Sequence, residues 1–497
     1  MKILLINPPH LQKKGAFPRI VFEPIGLSYI AAILLENNYK VEILDTIGLG
    51  FNKKTELDEK RELIGLNYLE IENVIREKNP DIVGIAVPFT MRAESAFKIA
   101  SIVKLINSKT ITILGGIHIS SYSEESIKNP NVDYVVTGEG EIATLKLVKA
   151  IKKNDIESMK FIDGIGYKLN EQYILNPQIS KIDNLDEIPF PARQLLPMSE
   201  YVKASKLLLT GRTGNRFNSV VTSRGCPFKC TFCVSYKLMG RQWRFRSPEN
   251  VVNEIEHLVK TYKTDFIHFE DDNLTYKKER IMKICDLIIE RKLKIKWDTP
   301  NGVRADTLDE EVVRKMKESG CSKIYVAPES GNQYVVDNII KKKMNLQKVE
   351  EVVKLCKKHG IKVEAFYVIG NMGETKEQIQ DTINYAKKLR KYGVSKSHFH
   401  IATPFEGTEL YIKAKNEGCL VDAYENGVKA EAQRIQTKEF TVKDIDDFLM
   451  KGSKTNPKIP LDKIHLSILL FIRNPLRLFK AVVSYIFKGN SGLNSFL

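Results

Sequence analysis

The run Ser223-Arg224-Gly225-Cys226-Pro227-Phe228-Lys229-Cys230-Thr231-Phe232-Cys233 sets three of the chain's seven cysteines within eight residues, directly after Asn218-Ser219-Val220-Val221-Thr222. Thiolates so close together suit one iron–sulfur cube, whose usual ligand set is four cysteines. No fourth cysteine lies nearby, so one iron of such a cube is open to bind a substrate. A closed zinc site fits less well: the next histidine is His257 and the next cysteine Cys285, neither at a finger-like spacing. An odd cysteine count, with Cys285, Cys321, Cys356 and Cys419 scattered, argues for a reducing compartment over a disulfide framework.

Before and after this run, the chain alternates apolar strands with amphipathic helices. Residues 1–148 carry five predicted strands (Lys2–Ile6, Lys40–Leu44, Ile82–Val87, Thr110–Leu114, Tyr134–Val136) and helices near 26–37, 70–78, 92–107 and 141–152. This is the pattern of a doubly wound, flavodoxin-like or Rossmann-like α/β domain. Its ligand loops belong at the carboxyl ends of the strands: Asn7-Pro8-Pro9, Asp45 to Gly50, Pro88-Phe89-Thr90, Gly115-Gly116-Ile117-His118 and Gly138-Glu139-Gly140-Glu141. Residues 149–200 read as a linker, with Pro189 and Pro191 enforcing extended backbone.

Residues 201–410 hold six further strand–helix units, with strands near 218–222, 265–269, 294–298, 323–327, 362–368 and 397–402, which predict a partial (β/α)6 barrel. Polar groups follow those strands: Glu270-Asp271-Asp272-Asn273, Asn301 and Arg304, Glu329-Ser330-Gly331, and Gly370-Asn371-Met372-Gly373-Glu374-Thr375. Residues 411–497 are expected to be a small helical C-terminal region that associates with a membrane.

The Cys-x-x-x-Cys-x-x-Cys spacing, with Phe232 before the third cysteine, resembles that of the radical S-adenosylmethionine enzymes. The resemblance implies a [4Fe–4S] cluster on Cys226, Cys230 and Cys233. Its open iron would chelate the methionine moiety of S-adenosylmethionine, and an electron from the cluster would release a 5′-deoxyadenosyl radical. It also places Phe232, Asp271, Asp272, Arg304, Glu329 and Ser330 beside that molecule, with the aspartates near the amino group, Arg304 near the carboxylate, and Glu329 and Ser330 near the ribose. Thr403-Pro404-Phe405-Glu406-Gly407-Thr408 is similar to the family's Thr-Pro-x-Pro-Gly-Thr block, with Glu406 in place of the second proline.

The N-terminal domain resembles the cobalamin-binding domain of that family's cobalamin-dependent branch. The motif Asp-x-His-x-x-Gly appears as Asp45-x-Ile47-x-x-Gly50, so histidine ligation from that position is forbidden. The resemblance implies cobalamin contacts from Asp45, Gly50, Pro88, Thr90, Gly115, Gly116, Gly138 and Glu139. The implied activity is methyl transfer from methylcobalamin to an unactivated carbon. Cyclisation, rearrangement or oxidation with the same cofactors, and a non-catalytic iron–sulfur and cobalamin sensor, stand as alternatives. A flavodoxin-type or ferredoxin-type electron donor is expected.

The formal charge is +16, which invites nucleic-acid or acidic-lipid partners. No basic helix with interleaved aromatics occurs in the first 450 residues, so no nucleic acid is expected. Met1-Lys2-Ile3-Leu4-Leu5-Ile6-Asn7-Pro8-Pro9 is too short an apolar run for a signal peptide and predicts a cytoplasmic protein. Residues 451–497 hold eight basic side chains against Asp462 alone, with apolar segments 464–472 and 476–487. Neither segment reaches the roughly 20 residues a membrane span needs. They suit a peripheral membrane contact instead, and with it a lipid or other apolar substrate.

Overall fold

The computed structural model describes residues 1–14, 21–208, 216–422 and 433–457, with the backbone of 424–425 and 428–429. The chain divides into two compact units: 1–208 with 224–226 and 235–246, and 209–223 with 227–234 and 247–497.

The first unit is built on a seven-stranded sheet. Its strands are β1 (Lys2–Asn7), β2 (Lys40–Asp45), β3 (Ile82–Ala86), β4 (Ile111–Gly115), β5 (Tyr134–Val136), β6 (Ile165–Leu169) and β7 (Gln172–Leu175). The order is β7-β6-β5-β4-β3-β1-β2. β1 to β5 are mutually parallel, in the order 2-1-3-4-5 of a flavodoxin-like sheet. Helices Ile25–Glu36, Tyr68–Lys78, Ala93–Ile106 and Gly140–Lys153 fall where the periodicity predicts them. Strands such as Ile82-Val83-Gly84-Ile85 are buried on both sides, which is why they read as continuous apolar runs.

Two features depart from expectation. The stretch expected as linker contributes the hairpin β6–β7, which extends the sheet antiparallel. Short strands His10–Lys13, Lys54–Glu56 and Arg61–Ile64 form a separate three-stranded sheet. Their mixed composition, as in Lys54-Thr55-Glu56, carries too little period-2 signal to be read from sequence.

The second unit holds an all-parallel six-stranded sheet: β8 (Phe217–Val220), β9 (Phe266–Phe269), β10 (Lys296–Val303), β11 (Cys321–Glu329), β12 (Lys362–Ile369) and β13 (Val394–Ile401), hydrogen-bonded in chain order. Helices Pro248–Tyr262, Lys278–Glu290, Glu310–Glu318, Leu346–Lys358 and Lys376–Tyr392 alternate with the strands. One strand face and the helices share a core that includes Val251, Ile284, Val313, Ile324, Val349, Val363 and Leu389.

Candidate active site

In the second unit, Asp271 stands just past β9 and holds the root of the cysteine loop. Its carboxylate accepts hydrogen bonds from the Thr222 backbone N–H (2.6 Å), the Thr222 hydroxyl and the Ser223 hydroxyl (2.8 Å). Arg280 donates to the Thr222 carbonyl at 2.8 Å. Asp271 is 2% exposed, and burial raises its pKa against the opposing pull of Arg280 and Thr222. Expected beside a methionine ammonium, it has this loop-holding role in the structure, whereas Asp272 beside it is exposed to solvent.

Cys226, Cys230 and Cys233 are half-buried and form no disulfide. The Cys233 N–H donates to the Cys230 carbonyl at 3.1 Å. Phe232 packs against the cluster of Ile369, Met372 and Leu410. Among the described residues no three His, Cys, Asp or Glu side chains converge on a single metal ion. A four-iron cube makes a different demand, since it spreads its thiolates over separate irons.

The next two strand ends are engaged by protein partners. Arg304 donates to both oxygens of Asp306 (3.0 and 2.6 Å) and to the Lys342 and Lys343 carbonyls (3.0 and 3.2 Å). Its guanidinium carbon lies 3.6 Å from the centroid of the Phe228 ring. Expected near the methionine carboxylate of S-adenosylmethionine, Arg304 is in the structure a clamp between Phe228, inside the cysteine loop, and the 342–343 segment. Glu329 sits at the end of β11 with a left-handed backbone, φ +65°, and accepts from Lys342 Nζ at 2.7 Å. Ser330 is fully buried, and its hydroxyl meets that of Thr382 at 2.9 Å.

In the first unit, the candidate loops gather where the strand order reverses between β1 and β3, the place where such sheets bind ligands. Asp45 is wholly buried and accepts from Asn7 Nδ2 (2.6 Å) and the Tyr201 hydroxyl (2.5 Å). Arg92 Nη1 donates to Asn7 Oδ1 at 2.8 Å. The Thr90 hydroxyl lies 3.3 Å from His118 Nδ1, and burial pushes the His118 pKa down to about 4, keeping the ring neutral near pH 7. Pro88 is half-buried, Gly50 packs against the Gly65 backbone, and Gly115 and Gly116 line the same end of the sheet.

Ile47 packs with Val21, Phe51, Leu196 and Tyr201, so an apolar cluster occupies the motif's histidine position. The residues present therefore fit a cobalamin that takes no histidine from this motif.

Gly138 and Glu139 have other neighbours. A side chain at Gly138 would collide with Gln178, 1.6 Å from its ideal Cβ, and the φ of +66° already favours glycine. Glu139 is 8% exposed and accepts from Arg224 (3.0 Å), Arg244 (2.8 Å) and the Ile182 N–H (3.2 Å). Arg224 also donates to Glu141 at 2.5 Å and lies over the Tyr29 ring at 5.4 Å. Burial opposes the Arg224 charge, but Glu141 and Glu139 outweigh it and raise its pKa. Two carboxylates at the start of helix Gly140–Lys153 thus anchor a residue two positions before Cys226.

Residues 19–148 match the B12 binding domain and residues 220–386 the Radical SAM superfamily. An uncharacterised methyltransferase of Pyrococcus horikoshii is 34% identical over 456 residues, covering 91% of each chain. The chain belongs to the cobalamin-dependent radical S-adenosylmethionine methyltransferase family.

Cytidylyl-2-hydroxyethylphosphonate methyltransferase of Streptomyces wedmorensis, another relative of this radical S-adenosylmethionine chain, is 30% identical and covers 86% of this chain and 83% of its own. Two solved structures share the fold: TsrM of Kitasatospora setae (TM-score 0.66, 18% identity, 85% of this chain and 77% of that one) and OxsB (0.63, 19%, 92% and 57%). The cofactors are a [4Fe–4S] cluster, S-adenosylmethionine and cobalamin, and the reaction requires a reductant and a small-molecule substrate.

Sequence reasoning missed Tyr201, Arg224, Arg244 and Lys342, all buried polar side chains, whose carboxylate partners lie 156, 85 and 105 positions away for the first three and 13 for Lys342. Arg224 had one visible signal, its place directly before Gly225-Cys226.

Proposed function

We propose that this enzyme methylates an unactivated carbon of a polar small molecule. The carrying observation is the pairing, in one chain, of the three-cysteine loop with a B12 domain that has Ile47 in the histidine position. When bound, the cluster and S-adenosylmethionine supply a radical able to abstract a carbon-bound hydrogen, and cobalamin supplies the methyl group. The chain's own residues hold and orient these groups. Asp271 and Arg280 fix the loop root, and Glu329 offers a carboxylate to the ribose.

A polar substrate is favoured by the sheet face opposite the helices. There Lys323 lies 3.5 Å from Glu364, and Glu364 is 2.7 Å from His398. Tyr325 and Phe366 stack beside them at 5.0 Å. Parallel barrels ordinarily fill this face with branched aliphatics, and charged groups are retained there at a desolvation cost that a lipid chain would not relieve. The named substrate of the Streptomyces relative, a cytidylyl phosphonate, is likewise polar.

A lipid substrate and a peripheral membrane contact form a second reading. It rests on residues 451–497, of which 458–497 lie outside the described residues. No described helix is long and apolar enough to cross a membrane. The expected reductant is a flavodoxin-type or ferredoxin-type protein.

The test is anaerobic reconstitution followed by reduction with S-adenosylmethionine and hydroxocobalamin present, so that every methyl group transferred must first come from S-adenosylmethionine. Methyl transfer yields both 5′-deoxyadenosine and S-adenosylhomocysteine. Deoxyadenosine alone would favour cyclisation, rearrangement or oxidation, and neither product would leave the sensor reading.

A further inference from the structure

Lys341, Lys342 and Lys343 are consecutive cations, yet the middle one is buried. Lys342 is 7% exposed, whereas its two neighbours face solvent. The backbone accounts for this: Lys341 and Lys343 both adopt the left-handed region, φ +59° and +49°, and turn Lys342 inward between them. The partner Lys342 finds there, Glu329, is itself left-handed at φ +65°, just past a break in register between β11 and β12. Three non-glycine residues in this region around one ion pair require surroundings that over-determine them, and such strain gathers at functional sites.

The surroundings do over-determine them. A π-helical turn, Val335–Ile339, leads into the segment. The Ile339 and Ile340 carbonyls accept from the Thr231 hydroxyl (3.1 Å) and N–H (3.0 Å), and Thr231 lies between Cys230 and Phe232. The Lys342 and Lys343 carbonyls accept from Arg304, which stacks on Phe228. The segment 339–343 is thus a strap bound on one side to the cysteine loop, with Ile340 and Lys342 buried and the Lys342 ammonium aimed at Glu329.

We propose that Lys342 is a positioning residue for S-adenosylmethionine, acting through Glu329. This rests on the reading above that Glu329 meets the ribose. The ammonium holds Glu329 Oε1, and Oε2 accepts no hydrogen bond among the described residues, which leaves it to accept one from a ribose hydroxyl. A pair kept only for packing would be served equally well by apolar side chains.

The experiment uses reconstituted holoenzyme and compares wild type, Lys342→Met, Glu329→Gln and the double variant. Calorimetric affinity for S-adenosylmethionine, iron per chain and melting temperature are measured for each. Lys342→Met should weaken binding by roughly tenfold or more with iron per chain unchanged, and the double variant should bind no worse than Glu329→Gln alone.

Because Lys342→Met leaves a carboxylate without its cation, the double variant decides the matter if the single one melts early. Wild-type affinity in Lys342→Met, or losses that multiply in the double variant, would overturn the proposal. Wild-type holoenzyme that neither binds nor cleaves S-adenosylmethionine would instead sink the enzymatic reading beneath it.

Discussion

The Tyr201 hydroxyl donates to Asp45 Oδ2 at 2.5 Å across 156 positions of sequence, inside an apolar cluster where both side chains are at least 97% buried. Gly48 permits it, since a Cβ there would sit 2.4 Å from that same oxygen and 2.9 Å from the Tyr201 ring. Burial raises the Asp45 pKa, and the bonds from Tyr201 and Asn7 oppose that rise. Tyr201→Phe should therefore lower stability by about 1–3 kcal/mol through the carboxylate left short of a donor. Combined with Asp45→Asn, the loss should be less than additive; melting curves of the three variants check this.

Cys226→Ala should abolish 5′-deoxyadenosine formation and lower iron per chain. Cys285 is buried in the core and its pKa is pushed up to about 12, so Cys285→Ala should keep both iron and product. Equal loss in the two variants would end the ligand assignment.

Glu374 predicts a pH dependence of stability. One carboxyl oxygen accepts from the Gly370 and Asn371 N–H groups at 2.9 Å, while Oε1 is buried without a partner among the described residues, and burial raises the pKa to about 7. A raised folded-state value means the folded protein holds a proton that the unfolded chain releases near pH 4.5. The contribution is full below about pH 4.5 and is lost as pH rises through about 7, on the order of 3 kcal/mol from the size of the shift. Thermal melts of Glu374→Gln should lack this fall, and a parallel decline in the variant would assign it to another group.

Arg224→Met should destabilise by about 3–5 kcal/mol, the range for breaking a buried ion pair. Glu141 would lose the cation that hydrogen-bonds it, while Glu139 would keep Arg244. Denaturant unfolding measures this, and a change under 1 kcal/mol, the scale of an exposed pair, would show that the cluster is solvated.

With Ile47 packed in an apolar cluster at the motif's histidine position, the cobalt(II) spin-resonance spectrum of the bound cobalamin should show no nitrogen splitting from a protein histidine. Such splitting in the wild type, lost in His118→Ala, would place that histidine on the metal.

Glu139 and Arg304 show where reading the chain stops. Both follow predicted strands, and local pattern cannot distinguish a carboxylate facing a ligand from one facing Arg224 and Arg244, 85 and 105 residues on. The β6–β7 hairpin was likewise hidden, because Gln172-Tyr173-Ile174-Leu175 is an exposed or half-exposed edge with little alternation.

What the sequence determined by itself was what short-range chemistry dictates. Cysteine spacing specifies a cluster loop, the 2-residue and 3.6-residue periods specify two sets of parallel βα units, and Ile47 removes a metal ligand. Tertiary structure alone decided which polar side chains are buried together: Asp45 with Tyr201, Glu139 with Arg224, Glu329 with Lys342. A buried charge is tolerable only with its partner in hydrogen-bonding geometry, and that geometry is made by chain segments brought together by folding, not by neighbours in sequence.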